Sequence, residues 1–537
     1  MSAEYPPSRT GNAETPTTTR SALGLKAHYD FIVCGSGSSG SVVARRLAEN
    51  PDVSVLLLES GGSDDLPSVM EPGLWLQNIG SQCDWAFQAL ANPHLNGRSI
   101  SMSMGKVLGG GSSINGLMWS RGHKKDWDFF ASETDDPAWS YEAVTNIYRR
   151  VEDWHGAPDS EYRGVGGPMF IQSAPNYNTC PPILVEGAAS IGIPIFENPN
   201  GRMVEGDGGA SLLDVITHEG RRQSVFRSYV TPYMDRPNLT VLTHATVVRL
   251  NIEGIRTTGV EIIYGGDVHR IGAGHEVVLS LGAINTPKVL MQSGIGDEVE
   301  LKRFGIPLIQ HLPGVGRNFQ DHFIIFGCIW EYKQPAVTPN AARAVLQWKS
   351  DARLDTPDIQ ILQSDGGGIK SEMQRRGLAA DEWWSLAPGV VRPQSQGRIR
   401  LTGSGVLDAV QIEANTLSHP DDMKAAIASV ELCREVASAT ALRPFIKQEL
   451  MPGDLKGPEL ENFIREGTVT YWHQTCTAKM GRDSMSVVDG SLKVYGIGNL
   501  RIADGSIMPR VTSGNTMAPC VVIGERAAEI LKREHGI

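Results

Sequence analysis

The pattern of apolar and polar positions predicts that residues 28–62 form a strand, a turn, a helix and a second strand. Residues 29–34 are apolar and partly β-branched, which is typical of a short buried strand. Helical spacing follows over residues 41–49, ahead of Pro51, and residues 53–58 form a second apolar run. The order strand, helix, strand predicts an α/β unit in which the first turn leads directly into a helix.

Three glycines in that turn have the spacing GxGxxG. In such units one glycine allows the tight turn, one lets the backbone approach a pyrophosphate, and one lets the helix pack on the strand. Glu59 ends the second strand, where a carboxylate accepts hydrogen bonds from ribose hydroxyls and disfavours a 2′-phosphate. The spacing does not distinguish FAD from NAD. We therefore predict a dinucleotide site formed by Gly35, Gly37, Ser38, Ser39, Gly40 and Glu59.

A later part of the chain returns to the same type of pattern. Alternating β-branched residues predict strands over residues 238–250 and 259–264. Residues 276–280 form a further apolar run, and residues 286–292 predict a helix that Gly294 ends. These elements are expected to join the sheet of the dinucleotide domain.

The intervening segments have a different character and predict a second domain. They combine irregular loops with alternating strands at residues 398–401 and 410–414 and an amphipathic helix at residues 421–439. The chain would thus cross between domains several times. The predicted division is a mobile tail at 1–27, a dinucleotide domain at 28–130, 216–322 and 461–537, and a substrate domain at 131–215 and 323–460.

Composition narrows the class of protein. With 537 residues and 41% hydrophobic residues, the chain can bury the cores of two domains. A net charge of −11 disfavours nucleic acid and anionic membranes as partners. The seven cysteines are scattered and form no CxxC pair, which favours reduced thiols in a cytoplasm. We expect a soluble cytoplasmic protein, since no apolar stretch is long enough for a signal peptide or a membrane span.

Four further segments carry motifs. Residues 105–122 are dense in glycine, serine and asparagine, and residues 282–296, 314–322 and 499–509 follow in order. Together with the opening unit, these segments resemble the glucose-methanol-choline (GMC) oxidoreductases, flavoproteins that oxidise alcohols. The resemblance covers residues 28 to about 535. It implies an α/β fold, with a Rossmann-like FAD-binding domain built from discontinuous segments and an α+β substrate domain containing an antiparallel sheet.

The resemblance also implies which residues hold the cofactor. Members with covalent FAD attach it to a histidine of the first glycine-rich segment, but residues 99–122 contain no histidine, so we expect noncovalent FAD. The position of Val247 depends on the register of its strand. Besides the dinucleotide turn, the implied FAD-binding residues are Val107, Asn115, Gly116, Leu117, Met118, Val247, Trp472, Asp504, Gly505, Thr516 and Met517.

His473 and Asn515 match the two active-site positions of the family. From the residues alone, a single histidine between aromatic residues is more typical of a protein core. The resemblance implies instead that His473 takes the hydroxyl proton of the alcohol. Asparagine can bond the substrate oxygen but cannot accept a proton, so the role of base falls on His473. Asn515 could also cap a helix predicted over residues 521–532.

Other candidate sites have less support. His311 and His322, near Asp321, could resemble metal ligands, but the family motif accounts for Asp321 and His322, and we expect no metal. The sequence contains no HExxH motif, nucleophile elbow or Walker loop that would favour a hydrolase or kinase.

The implied reaction is oxidation of a primary alcohol to an aldehyde, with oxygen or another compound as electron acceptor. A hydroxynitrile lyase or a fatty acid decarboxylase on the same fold remains an alternative, and the oligomeric state is open.

Four aromatic residues could line the substrate pocket or could be core. Aromatic walls favour a small, flat, apolar alcohol, although they also suit choline. The carboxylates beside them, Glu331 and Glu382, would point to the opposite face of a strand, which favours the neutral alcohol. The four aromatic residues are Trp330, Tyr332, Trp383 and Trp384.

Overall fold

The computed structural model describes residues 25–174, 183–335, 344–364 and 370–537. Most of the predicted N-terminal tail lies outside the described residues. The strands are, in chain order, β1 (His28–Cys34), β2 (Val55–Leu58), β3 (Phe87–Gln88), β4 (Ser101–Met102), β5 (Glu152–Trp154), β6 (Met169–Ser173), β7 (Gly209–Leu212), β8 (Asp214–Val215), β9 (Thr217–His218), β10 (Arg221–Arg222), β11 (Leu239–Leu242), β12 (Thr246–Glu253), β13 (Arg256–Tyr264), β14 (Asp267–Leu279), β15 (Ile295–Gly296), β16 (Gln310–His311), β17 (Phe323–Ile325), β18 (Cys328–Tyr332), β19 (Ala344–Trp348), β20 (Ile359–Ser364), β21 (Trp383–Val390), β22 (Arg398–Leu401), β23 (Val410–Glu413), β24 (Ile446–Met451), β25 (Thr468–Thr470) and β26 (Leu500–Ile502).

The α-helices of the described residues lie between these strands. They are α1 (Ser38–Leu47), α2 (Pro67–Met70), α3 (Gly111–Ile114), α4 (Lys124–Thr134), α5 (Tyr141–Val151), α6 (Ile183–Ser190), α7 (Val225–Tyr229), α8 (Gly282–Gln292), α9 (Glu298–Arg303), α10 (Lys370–Arg375), α11 (Pro420–Ser438), α12 (Gly457–Gly467) and α13 (Met517–His535).

The first large sheet has the order β11, β2, β1, β14, β13, β12, with β26 also paired to β14. Strands β11, β2, β1, β14 and β26 run parallel, whereas β13 pairs antiparallel with β14 on one side and with β12 on the other. The parallel part confirms the Rossmann-like sheet built from discontinuous segments. The predicted run 238–250 divides into β11 and β12, because the chain leaves the parallel sheet at His244, which has a left-handed backbone (φ 56°).

Two helices cover the turn of the predicted dinucleotide unit. Helix α1 begins at Ser38, three residues before the predicted start, because Gly37 already takes the N-cap position. Helix α13 packs against α1, where Ser39 Oγ donates to the Cys520 carbonyl at 2.6 Å. A Cβ on Gly524 would lie 2.7 Å from the Ser39 carbonyl oxygen, so this glycine permits the close contact between the helices.

The second large sheet has eight strands in the described residues and is antiparallel. Its order is β24, β18, β21, β20, β19, β7, and β17 pairs with both β21 and β25. The predicted strands at 398–401 and 410–414 form the separate hairpin β22–β23, and the predicted helix at 421–439 is α11. This sheet confirms the antiparallel component of the expected fold.

Within the described part of the chain, no helix combines the length and the apolar character needed to cross a membrane. The six cysteines that lie there are free thiols, five of them buried.

Candidate active site

A cavity of about 580 Å³ is lined by residues of both large sheets. Val247 of β12 contributes from the first sheet, and Ile324, Leu362 and Ala387 contribute from β17, β20 and β21 of the second. The cavity therefore has one end at the first large sheet and another at the second. The two ends carry different chemistry.

The turn between β1 and α1 forms the first end. Gly35 has φ +98°, and a Cβ there would lie 2.3 Å from the Ser280 carbonyl oxygen, so only glycine fits. A Cβ on Gly37 would meet nothing within 4 Å, because this position faces the open cavity. No side chain of the described residues caps α1, which leaves the first amides of the helix available to an anion.

Glu59 stands at the cavity wall beside this turn. Its carboxylate accepts from the Ser36 amide at 3.1 Å, the Ser36 hydroxyl at 2.8 Å and the Gly61 amide at 2.8 Å. Burial raises its pKa, against these hydrogen bonds, which lower it. A carboxylate can accept about four hydrogen bonds, so capacity remains for a ribose hydroxyl. The open turn, the uncapped helix and this acid fit the nucleotide part of FAD.

Most of the residues expected to hold FAD line the cavity. Asp504 accepts from the Gly282 amide, the Thr286 hydroxyl and the Ser506 amide, and so joins the start of α8 to the segment before α13. The predicted residues in the cavity wall are Gly35, Gly37, Ser38, Ser39, Glu59, Asn115, Gly116, Met118, Val247, Trp472, Asp504, Gly505, Thr516 and Met517.

Three predicted residues do not line the cavity. A Cβ on Gly40 would lie 1.9 Å from the Gly35 carbonyl oxygen, so this glycine serves the packing of α1 on the turn. Val107 is fully buried in a small apolar cluster with Val69 and others. Leu117 has φ 72° and is buried in the main core. These three residues serve the packing of the scaffold rather than the cavity wall.

His473 lies at the other end, on the loop after β25. Asp321 holds this loop, because its carboxylate accepts from the His473 amide at 2.8 Å and from the Thr470 hydroxyl. The Thr470 hydroxyl in turn accepts from the Trp472 amide at 2.8 Å, and Trp472 has φ 60°. This strained turn directs the imidazole of His473 into the cavity wall.

Three side chains contact the His473 ring. Its Nδ1 lies 2.9 Å from Nδ1 of His322, and its Nε2 lies 3.1 Å from the side-chain nitrogen of Asn515. The ring of Tyr471 stacks on it at a centroid distance of 4.9 Å. Asp321 contacts the backbone but not the ring.

Burial sets the protonation of this site. It lowers the pKa of His473 to about 3, so the imidazole is neutral near pH 7 and can accept a proton. Burial and the neighbouring His473 lower the pKa of His322 well below its ordinary value. Burial raises the pKa of Asp321 to about 7, against the hydrogen bonds that lower it.

Asn515 does not cap the following helix, and that interpretation is wrong. Helix α13 begins at Met517, and Thr516 occupies its N-cap without a side-chain hydrogen bond. The Asn515 amide is instead held between His473 and Gln360, whose Nε2 donates to the Asn515 Oδ1 at 3.2 Å.

Sequence reasoning missed three residues around the base. The sequence presents Asp321 and His322 as a possible metal site and as parts of a family turn, but not as partners of His473, and their adjacent positions in that turn are the available signal. Gln360 carried no signal, because its role arises from a contact 155 positions away in the chain.

The aromatic residues predicted as candidates for the substrate pocket do not line the cavity. Trp330 and Trp384 stack on each other at 4.8 Å in the core, with Tyr332 beside them. Trp384 faces the side of β21 opposite to Ala387. Trp383 shares the face of Ala387 but lies about 13 Å along the strand, at 3.3 Å per residue. The core interpretation is therefore correct for these residues.

The two carboxylates considered with those aromatic residues are engaged elsewhere. Glu331 accepts from Lys447 and from Gln448, and Glu382 accepts from the Ala379 amide. Neither lines the cavity.

Comparison with known proteins identifies the family. Two models described as GMC oxidoreductase match this chain, over residues 29–324 and 393–524. The chain belongs to the GMC oxidoreductase family. It is an FAD-dependent oxidoreductase acting on alcohols.

Relatives of this GMC oxidoreductase differ in the activities that their names state. Oxygen-dependent choline dehydrogenase of Brucella anthropi is 34% identical over 535 residues, covering 93% of this chain and 95% of the relative. Pyridoxine 4-oxidase from Mesorbium loti has a TM-score of 0.86 at 27% identity, covering 95% of this chain and 99% of the other. Formate oxidase of Aspergillus oryzae RIB40, from a structure concerned with FAD modification, has a TM-score of 0.85 at 25% identity, with the same coverage.

Proposed function

We propose that the protein oxidises a small, uncharged primary alcohol with an aromatic or otherwise flat apolar body to its aldehyde, with His473 as general base. FAD, when bound, supplies the oxidant by accepting a hydride from the carbinol carbon. We also propose that this FAD is held noncovalently, by the dinucleotide turn, Glu59 and Asp504, in the domain of residues 28–130, 216–322 and 461–537.

The observation that carries the proposal is the pair of His473 and Asn515 in one cavity wall. One nitrogen of the neutral imidazole carries a lone pair that can accept a proton, which is what a base acting on an alcohol requires. The Asn515 amide has two N–H groups, and only one is needed for the contact with His473. The second can donate to the oxygen of the alcohol and orient it toward the base.

The cavity lining supports a neutral substrate over choline. Around the base the described lining residues are apolar or uncharged, and they include Ile324, Phe326 and Tyr471. Among the described residues the acidic members of the lining are Glu59 and Asp504, which belong to the set proposed to hold FAD. A quaternary ammonium would therefore enter without a carboxylate partner, and burying an unpaired charge is costly.

Choline is nevertheless a second candidate, because the curated relatives at 33–34% identity are choline dehydrogenases. The two candidates make opposite predictions for one measurement. The protein should be assayed with benzyl alcohol, hydroxymethylfurfural, choline and straight-chain alcohols. We expect kcat/KM for benzyl alcohol to exceed that for choline, and a tenfold preference for choline would reject the neutral substrate.

The same preparation tests the reaction class. Anaerobic mixing with the preferred alcohol should bleach the flavin absorbance, and peroxide release in air would identify oxygen as the acceptor. A flavin that stays oxidised with every alcohol, together with cyanide release from mandelonitrile, would replace the oxidase or dehydrogenase by a lyase.

A further inference from the structure

We propose that His322 and Gln360 are positioning residues that fix the tautomer of His473, with the proton on Nδ1 and the lone pair on Nε2, the nitrogen that would take the proton of the alcohol. The inference rests on the proposed function, in which His473 is the base. It concerns a different property, because it states which of the two ring nitrogens can accept the proton.

A chain of hydrogen bonds with one possible direction leads to the Nε2 side of His473. It starts at the backbone carbonyl of Ser513, which can only accept, so the contact of 3.4 Å requires the Gln347 amide nitrogen. The same nitrogen donates to Gln360 Oε1 at 3.1 Å. Gln360 must therefore present its own nitrogen to Asn515 Oδ1, at 3.2 Å, and it also donates to the Tyr471 hydroxyl at 3.0 Å.

The direction of this chain fixes the amide of Asn515. Since Asn515 Oδ1 accepts from Gln360, its nitrogen faces His473 Nε2 at 3.1 Å. An N–H group that points at Nε2 requires a lone pair there. A proton on Nε2 would place two donors against each other and would leave both without an acceptor in a buried site, which is unfavourable.

The Nδ1 side of the ring completes the argument. A neutral imidazole carries one proton, so a lone pair on Nε2 puts the proton on Nδ1. This N–H donates to His322 Nδ1 at 2.9 Å, which then carries the lone pair. The proton of His322 then lies on its own Nε2, a buried atom without a hydrogen-bond partner among the described residues, although the backbones of Val391 and Thr512 interact with the ring.

The two positioning residues are as buried as the base. His322 is 0% exposed and Gln360 is 1% exposed, so water does not replace either partner. Without the acceptor on His322, the Nδ1 proton loses its only ring partner. Without the donor on Gln360, the Asn515 amide can turn over and present its carbonyl to Nε2. Either change would populate the tautomer that cannot take the alcohol proton.

The tautomer can be measured without turnover. FAD-loaded protein with ¹⁵N-labelled histidine, free of substrate, is studied by NMR, and the signals of His473 are assigned by difference from His473→Gln. We expect Nδ1 of His473 to have the shift of a protonated nitrogen and Nε2 that of an unprotonated one. The reverse assignment in the parent protein would overturn the proposal, whatever the activity.

Matched variants then test the two positioning residues. His322→Asn keeps an acceptor oxygen near the place of Nδ1, whereas His322→Leu has none. We expect His322→Asn to keep the tautomer and His322→Leu to mix both forms and to slow flavin reduction by benzyl alcohol by roughly 10- to 100-fold, the usual effect of losing an orienting partner. Thermal melting and flavin content show whether each variant is folded.

Gln360→Met provides the same test from the other side of the His473 ring. It replaces His322→Leu if that variant does not fold. A folded His322→Leu or Gln360→Met variant with a single unchanged tautomer would refute the assignment of positioning roles. Absence of alcohol oxidation with the expected tautomer in the parent protein would instead refute the proposed function alone.

Discussion

Lowering the pH from 8 to 5 should not remove the base form of His473. Burial lowers the pKa of His473 to about 3 from an ordinary value of 6.5. At pH 5 a group with pKa 3 is about 99% neutral, whereas a group with pKa 6.5 is about 3% neutral. The two cases differ about 30-fold in the amount of active base. We therefore expect the rate of flavin reduction to change little through loss of this base.

The groups around His473 must be considered in the same range of pH. His322, Tyr471 and Asn515 face the ring and stay uncharged, since burial lowers the pKa of His322 and raises that of Tyr471. Asp321 holds the backbone of His473, and burial raises its pKa to about 7. It is thus expected to gain a proton as the pH falls through 7. This protonation can change the rate of flavin reduction through the backbone that Asp321 holds, and not through the charge of the His473 ring.

The assay is anaerobic stopped-flow reduction with benzyl alcohol, giving kcat/KM for flavin reduction in the parent protein and in Asp321→Asn. A small step near pH 7 that is absent in Asp321→Asn belongs to Asp321. A fall of about 30-fold between pH 8 and 5 that persists in Asp321→Asn, with a midpoint near 6.5, would show that burial does not depress the pKa of the base.

Three further predictions concern base and cofactor. His473→Ala should slow flavin reduction by about 10² to 10⁴, the usual range for loss of a general base, with unchanged flavin content; a parental rate would remove His473 from the mechanism. Glu59→Ala should weaken FAD binding by about 10-fold or more, as for a lost hydrogen bond to a charged group, in a titration of apoprotein; unchanged affinity would exclude the ribose contact. Acid precipitation should leave the yellow colour in the supernatant, and colour retained in the pellet would indicate covalent FAD.

Local sequence patterns were enough to predict the dinucleotide unit. The strand, turn and helix of residues 28–47 depend on neighbouring residues, because the period of apolar positions and the glycine spacing are both local. The predicted bounds of α1 were wrong by three residues at its start, where Gly37 and the serines after it gave no apolar signal. Element ends are set by capping contacts, which periodicity does not describe.

The antiparallel sheet could be expected as a class but not strand by strand. Strand β7 pairs with β19 more than a hundred residues later, and β17 pairs with β25 after a similar gap. No local pattern specifies such partners. The same reason explains why His322, Gln360 and Asp321 were missed around His473. Each lies on another element, and only the pairing of those elements brings them together.

The core position of Trp330 and Trp384 shows where substrate selectivity has to originate. Large aromatic side chains fill space, and Trp330 and Trp384 do this on the core face of the sheet, where their stacking stabilises the strands. A cavity on the other face requires smaller side chains, such as Ala387 and Leu362. The size of the side chains on the cavity face should thus control which alcohols fit. Since these side chains are also apolar, they select against charge as well as against bulk.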